Sequence, residues 1–200
     1  MKEPFRRVFD VGFAALVLVL TSPLLLLAAV AIKLTSRGPV LYRQERVGRD
    51  GELFQMIKLR TMVRGAEHIG AGLAVDRGDA RITKVGRVLR RTSLDELPNL
   101  VNVLRGDMSI IGPRPTVKVQ VDQYTEHQRR RLELRPGITG WAQVNGRASV
   151  SWPARIEMDI DYIDRRTVRM DLAILGRTAR QLLGSGRDNY KGSTGGWVDP

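Results

Sequence analysis

The segment "VGFAALVLVLTSPLLLLAAVAI", residues 11–32, contains no charged residue and meets the roughly 20 apolar residues a helix needs to cross a hydrocarbon core. It exceeds the ~7–15 apolar residues of a secretory leader, and no small-x-small cleavage site closes it. A retained membrane anchor is the expectation. Ser22 and Pro23 sit near its middle. Proline removes a backbone donor and clashes with the carbonyl one turn earlier, while a serine hydroxyl can satisfy the carbonyl so freed. A sharp bend is expected there. Lys2, Arg6 and Arg7 precede the segment and Lys33 and Arg37 follow it, so the positive-inside rule assigns no orientation to a straight span. These residues leave two geometries open: a kinked transmembrane helix, and a re-entrant hairpin with both ends on one side.

The whole chain of 200 residues is 42% hydrophobic and carries no internal repeat, which fits one compact unit with accessory segments. Its net charge of +12 suits nucleic acid, an anionic membrane surface or a phosphorylated substrate. With no cysteine and only His68 and His127, disulfides, thiolate nucleophiles and Cys-based metal sites are excluded, and a His-rich site is disfavoured. Any metal should be hard and oxygen-bound, which points to magnesium.

After the anchor, "VLYRQERVGRDGELFQMIKLRTM" (40–62) predicts two short strands around the turn "RDG". "GAGLAVDRGDAR" (70–81) reads as a mobile loop. Apolar spacing and the Gly/Pro breaks predict helices at about 83–91, 94–105, 116–132 and 152–164. "TVRMDLAILGRTARQLLGSG" (167–186) has helical apolar spacing, with Arg169, Arg177 and Arg180 placed either to meet lipid headgroups or to edge a helix packed on the core. Residues 187–200 read as a loosely ordered tail. The class is mixed α and β, mostly helical.

"SLDELPNL", residues 93–100, sets Asp95 beside Glu96 just after "RVLRR". Ser93 and Glu96 have the spacing of a capping box, in which serine accepts from a backbone amide and glutamate reaches back. That reading leaves Asp95 unexplained. Alternatively, an aspartate kept ionised by backbone amides, Arg90 and Arg91 can attack phosphorus, with its neighbour holding a magnesium ion. Downstream, Pro113 and Pro115 flank Arg114, either as a rigid surface turn or as a guanidinium held ready for bidentate phosphate binding. "RPGITGWAQVNGR" (135–147) offers Trp141, Gln143, Asn145 and Arg147 to a base or sugar, or else Trp141 anchors an ordinary loop.

Taken together, "RRVFD" (6–10), the Ser-Pro pair, "KLRTM" (58–62), "RRTSLDELPNLVNVLRGDMSIIGPRP" (90–115) and "RPGITGWAQVNGR" resemble the monotopic phosphoglycosyl transferases, in family order and at similar spacing. The resemblance implies transfer of a sugar-1-phosphate from a UDP-sugar to a polyprenyl phosphate, with release of UMP, through a phosphosugar carried on the enzyme. It implies Asp95 as the covalent nucleophile, Glu96 as the Mg²⁺ ligand and Arg114 as a phosphate ligand, with Lys58, Arg90, Arg147 and Asp159 supporting substrate or site. It also favours the re-entrant geometry at Ser22 and Pro23: a helix-break-helix anchor over 1–36, a small β-hairpin and interfacial helices around a catalytic core over 37–186, on the cytoplasmic face of the bacterial inner membrane. Membrane lipids would be partners and nucleic acid would not. A membrane-anchored nucleic-acid binder, suggested by the charge and by "RRR" (129–131), leaves the Asp-Glu pair without a role. A magnesium-dependent phosphohydrolase would share the site and differ in using water as acceptor.

Overall fold

The computed structural model describes residues 3–69, 78–146 and 150–184. The apolar segment forms helix α1, Glu3–Thr35, long and apolar enough to cross a membrane. The expected division into two helices is not seen, because helical structure runs through Pro23. A local reason is visible: Pro23 cannot donate to the carbonyl of Val19, and Ser22 Oγ donates to that oxygen instead at 2.8 Å. One stripe of α1 faces the rest of the protein, with Asp10, Ala14, Ala28 and Ile32 buried and Val17, Leu18 and Leu25 packed between them. This three-to-four-residue spacing is that of one helix face. The opposite face leaves Leu26 68% and Leu27 67% exposed.

Both ends of α1 are tied to the same body. At its start, Arg7 donates to the carbonyls of Val103 and Leu104 at 2.5 and 2.8 Å. Asp10 accepts from Ser109 Oγ and the Ile110 amide at 2.8 and 3.1 Å. At its end, Arg60 donates to the carbonyls of Ser36 and Arg37, each at 2.9 Å. Charge-assisted bonds of this kind are the strong members of their class.

Strands β1 (Leu41–Val47) and β2 (Leu53–Leu59) form the expected antiparallel hairpin, in register from Leu41 opposite Leu59 to Val47 opposite Leu53. Its turn places Asp50 and Gly51 at φ 54° and 87°, a left-handed conformation that Gly adopts freely and Asp tolerates. Helix α2 is Lys84–Thr92. The helix expected over 94–105 is divided into a 3₁₀ turn, Leu94–Glu96, and α3, Asn99–Arg105. Helix 116–132 is likewise divided into α4 (Lys118–Val121), α5 (Glu126–Arg129) and a 3₁₀ turn, Arg130–Leu132. Thr125 starts α5 afresh through a reciprocal capping box with Gln128.

A second sheet, not expected from the sequence, pairs β3 (Ser109–Ile111) in parallel with β4 (Gly137–Thr139). The strands adjoin "GPRP" and "RPGITG" and bring these loops together. A Cβ on Gly137 would lie 2.1 Å from the Gly112 amide nitrogen, so this close backbone approach requires glycine. Helices α6 (Trp141–Asn145), α7 (Trp152–Arg165) and α8 (Val168–Leu183) complete the fold. In α8, Ile174 is buried while Leu172, Leu182 and Leu183 face outward.

The core has three parts. Ala14, Leu100, Val103, Met108 and Tyr162 pack below the first half of α1. Ala28 and Ile32 pack on Leu59 and Leu89 below its second half. Val47, Val121, Tyr124, Ile156 and Ile160 join the hairpin to α4 and α7.

Candidate active site

The Asp-Glu pair lies on the 3₁₀ turn between α2 and α3. Ser93 ends α2 at φ 57°, its amide bonded to the carbonyls of Arg90 and Leu89, and its side chain makes no cap bond. The capping-box reading therefore fails. Glu96 instead points at the hairpin and the Pro-Arg-Pro loop, where its Oε1 accepts from Lys58 Nζ at 2.7 Å and Arg114 Nη2 at 2.9 Å. Residues far apart in sequence thus meet at one carboxylate oxygen. They line a pocket together with Arg46, Met56 and Asn99.

The two carboxylates have opposite electrostatics. Burial acts to raise the proton affinity of Glu96, but Arg114 and Lys58 outweigh it and hold the group far below the usual carboxylate range. Asp95 is pushed up to about 6 by burial and by the Glu96 charge, with Lys58 and Arg90 opposing. The expected helix N-terminus is absent: Asp95 sits on a short turn, is 8% exposed, and burial outweighs the cations that favour its ionised form. It remains mostly ionised at pH 7. Lys58 is lowered by its own burial, with the Glu96 charge partly compensating.

Arg90 is held near Asp95 by a bond from its Nε to Thr61 Oγ1 at 2.8 Å. This contact depends on α2 lying directly on the segment just after β2. A Cβ at Gly86 would be 1.9 Å from the Thr61 carbonyl oxygen. Arg91, paired with Arg90 in the sequence reading, is exposed and does not act on Asp95.

Asp159 does not line the pocket. It is buried on α7 and binds Arg131 Nε at 2.7 Å. Arg131 also donates to Tyr124 Oη at 2.6 Å and to the Arg114 carbonyl at 2.9 Å. Asp159 thus lies one step behind the backbone of the Pro-Arg-Pro loop. The run "RRR" is correspondingly not a free basic patch, since Arg131 is internal and Arg130 pairs with Glu133 and Asp164.

Trp141 is used internally. The guanidinium of Arg177 lies 5.1 Å from its ring centroid and bonds Asn145 Oδ1, while Gln143 Nε2 donates to the Ile138 carbonyl at 2.9 Å. This supports the anchoring reading of Trp141. Ser22 and Pro23 lie in α1, outside the pocket lining. Arg147 falls outside the described residues, as do most of the loop at 70–81 and the tail 187–200.

Sequence reasoning missed Arg46, Asn99 and Arg131. Arg46 shares a face of β1 with Tyr42 and Gln44, an alternation that could have marked it. Asn99 is 3% exposed, and its Oδ1 has no hydrogen-bond partner. Among the described residues no cluster of three or more His, Asp or Glu side chains could hold a metal. Both cations bind Glu96 through Oε1. Its Oε2 and Asn99 Oδ1, from two residues that line the same pocket, are oxygens suited to a hard cation that takes few protein ligands.

The "Bacterial sugar transferase" family model matches residues 1–185. The uncharacterized sugar transferase EpsL of Bacillus subtilis is 43% identical over 178 residues, covering 89% of this chain and 87% of the relative. The UDP-glucose:undecaprenyl-phosphate glucose-1-phosphate transferase of Caulobacter vibrioides is 49% identical over 187 residues, covering 89% of this chain and 69% of the relative. The Escherichia coli enzyme of the same name is 43% identical over 178 residues, 85% of this chain and 38% of the relative. With its pocket assembled from segments that lie inside the family match, the chain belongs to the bacterial sugar transferase family.

Proposed function

We propose that this protein transfers a sugar-1-phosphate from a UDP-sugar to undecaprenyl or another polyprenyl phosphate. The observation that carries the reading is the buried Asp95 beside Glu96, with Glu96 tied to Lys58 and Arg114 in one pocket. The names of the Caulobacter vibrioides and Escherichia coli relatives support the reaction class. In the first step a carboxylate oxygen of Asp95 attacks the phosphorus bonded to the sugar. The bond from that phosphorus to the bridging oxygen breaks, and UMP leaves with the electron pair. In the second step an oxygen of the polyprenyl phosphate attacks the same phosphorus, the acyl-phosphate bond breaks, and the Asp95 carboxylate is restored. Lys58 and Arg90 neutralise charge beside Asp95, and Asp159 acts through Arg131 to fix Arg114. Glu96 would hold a magnesium ion, which when bound supplies further neutralisation of phosphate oxygens.

The membrane geometry that fits this chemistry is a re-entrant α1 on the cytoplasmic face, where a soluble donor meets a lipid-borne acceptor. The support is that Arg7 and Asp10 at one end, and Ile32 and Ser36 at the other, bind one body. A straight span would separate those contacts by about 30 Å of hydrocarbon. Cysteines introduced as Glu3→Cys and Arg37→Cys should both react from the cytoplasmic side with an impermeant reagent. Protection of one alone would support a straight span.

The reaction is tested by intact-mass measurement of the protein in lipid nanodiscs with Mg²⁺ and a panel of UDP-sugars. A sugar-phosphate adduct on the wild type, absent in Asp95→Asn and discharged by polyprenyl phosphate, is the expected result. Release of free sugar phosphate to water with no lipid product would favour a phosphohydrolase instead.

A further inference from the structure

Arg46 stands apart from the other cations of the pocket. Lys58 and Arg114 both spend their charge on Glu96 Oε1. Arg46 makes no ion pair among the described residues: its Nη2 donates to the neutral Gln44 side chain at 2.6 Å, and its Nε is buried without a hydrogen-bond partner. The Glu96 charge acts on Arg46 without a direct ion pair, and a partly buried guanidinium whose Nε has no acceptor is stabilised by an anion that supplies one. The proton affinity of Arg46 is lowered to about 10 by burial and by Arg114, with Tyr42 and Glu96 opposing.

The hairpin register orders the cations. Arg46 stands opposite Phe54, and Lys58 opposite Tyr42, all on one face of the ribbon. Their backbones are therefore four residues apart along the strands, about 13 Å at the usual rise, although both side chains reach the same pocket. Lys58 and Arg90 are the cations acting on Asp95, whereas Arg114 is the cation acting on Arg46. Glu96 Oε1 joins the two groups, since it binds both Lys58 and Arg114.

We infer that Arg46 and Arg114 form a phosphate subsite at the end of the pocket away from Asp95, next to Lys58, that takes a phosphate monoester. Resting on the transferase reading, this subsite serves both half-reactions. It holds the phosphate that departs as UMP, and then the polyprenyl phosphate that enters the vacated place. Arg46 supplies a guanidinium edge, Nε with one Nη, suited to bidentate binding.

The test uses the full chain in nanodiscs, with UMP affinity measured by calorimetry and discharge of preformed phosphosugar adduct measured with polyprenyl phosphate. Arg46→Gln should weaken UMP binding roughly 10- to 100-fold, the effect of losing charge-assisted hydrogen bonds, and should raise the polyprenyl phosphate concentration needed for discharge by a similar factor. Arg46→Lys should fall between, because it keeps the charge and loses the fork. Arg43→Gln, exposed on the opposite face of β1, should change neither and controls for lost net charge. Unchanged UMP affinity in Arg46→Gln, with the wild-type melting temperature, overturns the subsite and leaves the transferase reading standing. Weakened UMP binding with unchanged discharge overturns the shared use by donor and acceptor. Should the wild type form no adduct and no lipid product while UMP binding still depends on Arg46, the transferase reading fails and the phosphate subsite stands. If Arg46→Gln does not fold, Arg46→Lys carries the test, and wild-type affinity in that variant excludes the bidentate contact.

Discussion

Replacing the proposed nucleophile with a neutral isostere, Asp95→Asn, should abolish adduct formation and at the same time stabilise the fold. Asp95 is 8% exposed, and its proton affinity is raised from the ordinary value of 3.8 to about 6, first by burial and then by Glu96. A raised aspartate means that ionisation disfavours the native state. The penalty is absent below the unfolded value, grows as pH rises from about 4 to 6, and is full above about 6. At 1.36 kcal/mol per pH unit it reaches up to about 3 kcal/mol at pH 7.5, and falls to about 0.5 kcal/mol near pH 4. Asparagine carries no such penalty at any pH. For a chain of this size, 3 kcal/mol corresponds to a rise of about 6–12 °C in melting temperature. Thermal unfolding of both proteins in nanodiscs at pH 7.5 and pH 4 reads the effect, and the comparison between pH values removes constant differences in hydrogen bonding. A stabilisation seen only at the higher pH is expected. A destabilised variant at pH 7.5, or one shifted equally at both, would refute the account of Asp95 as a buried, charge-strained carboxylate.

The same value governs activity: single-turnover adduct formation should rise about tenfold per pH unit below 6 and level off above 7, and a flat profile from pH 5 to 8 would exclude Asp95 ionisation as the controlling event. Asp159→Asn leaves Arg131 buried without its counter-charge and should cost about 3–5 kcal/mol, read by denaturant unfolding, with stability recovered in the double variant Arg131→Met, Asp159→Leu. Gly86→Ala forces α2 away from the Thr61 carbonyl, at about 1–3 kcal/mol for overpacking. By displacing Arg90 it should also slow adduct formation, and a variant of wild-type stability would show that this contact can relax.

The anchor, the hairpin and the Asp-Glu motif were legible because each is written over a short stretch. An uncharged run, a period-two alternation around "RDG" and adjacent carboxylates carry their physics locally. The helix cap was the misleading local signal. "SLDE" satisfies the capping-box pattern, yet Ser93 adopts a left-handed conformation as the end of α2 and Glu96 is drawn to Lys58 and Arg114. Two ion pairs in a partly buried pocket outweigh a cap worth about 1 kcal/mol. The run "RRR" misled in the same way, since charge density shows neither which arginine turns inward nor which acid meets it.

Composition and local pattern by themselves determined a mostly helical protein with one apolar segment long enough to cross a membrane, a strongly basic chain and adjacent carboxylates. The tertiary structure alone decided which cations face which carboxylate. The β1–β2 hairpin, the 3₁₀ turn whose Glu96 reaches Lys58 on β2, and the Pro-Arg-Pro loop after β3 bring together residues 46, 58, 96 and 114. Burial there raises Asp95, neighbouring cations lower Glu96, and Arg46 makes no ion pair among the described residues. Proton affinity and unmet charge depend on distance and solvent exclusion, and those are properties of packing between segments far apart in the chain.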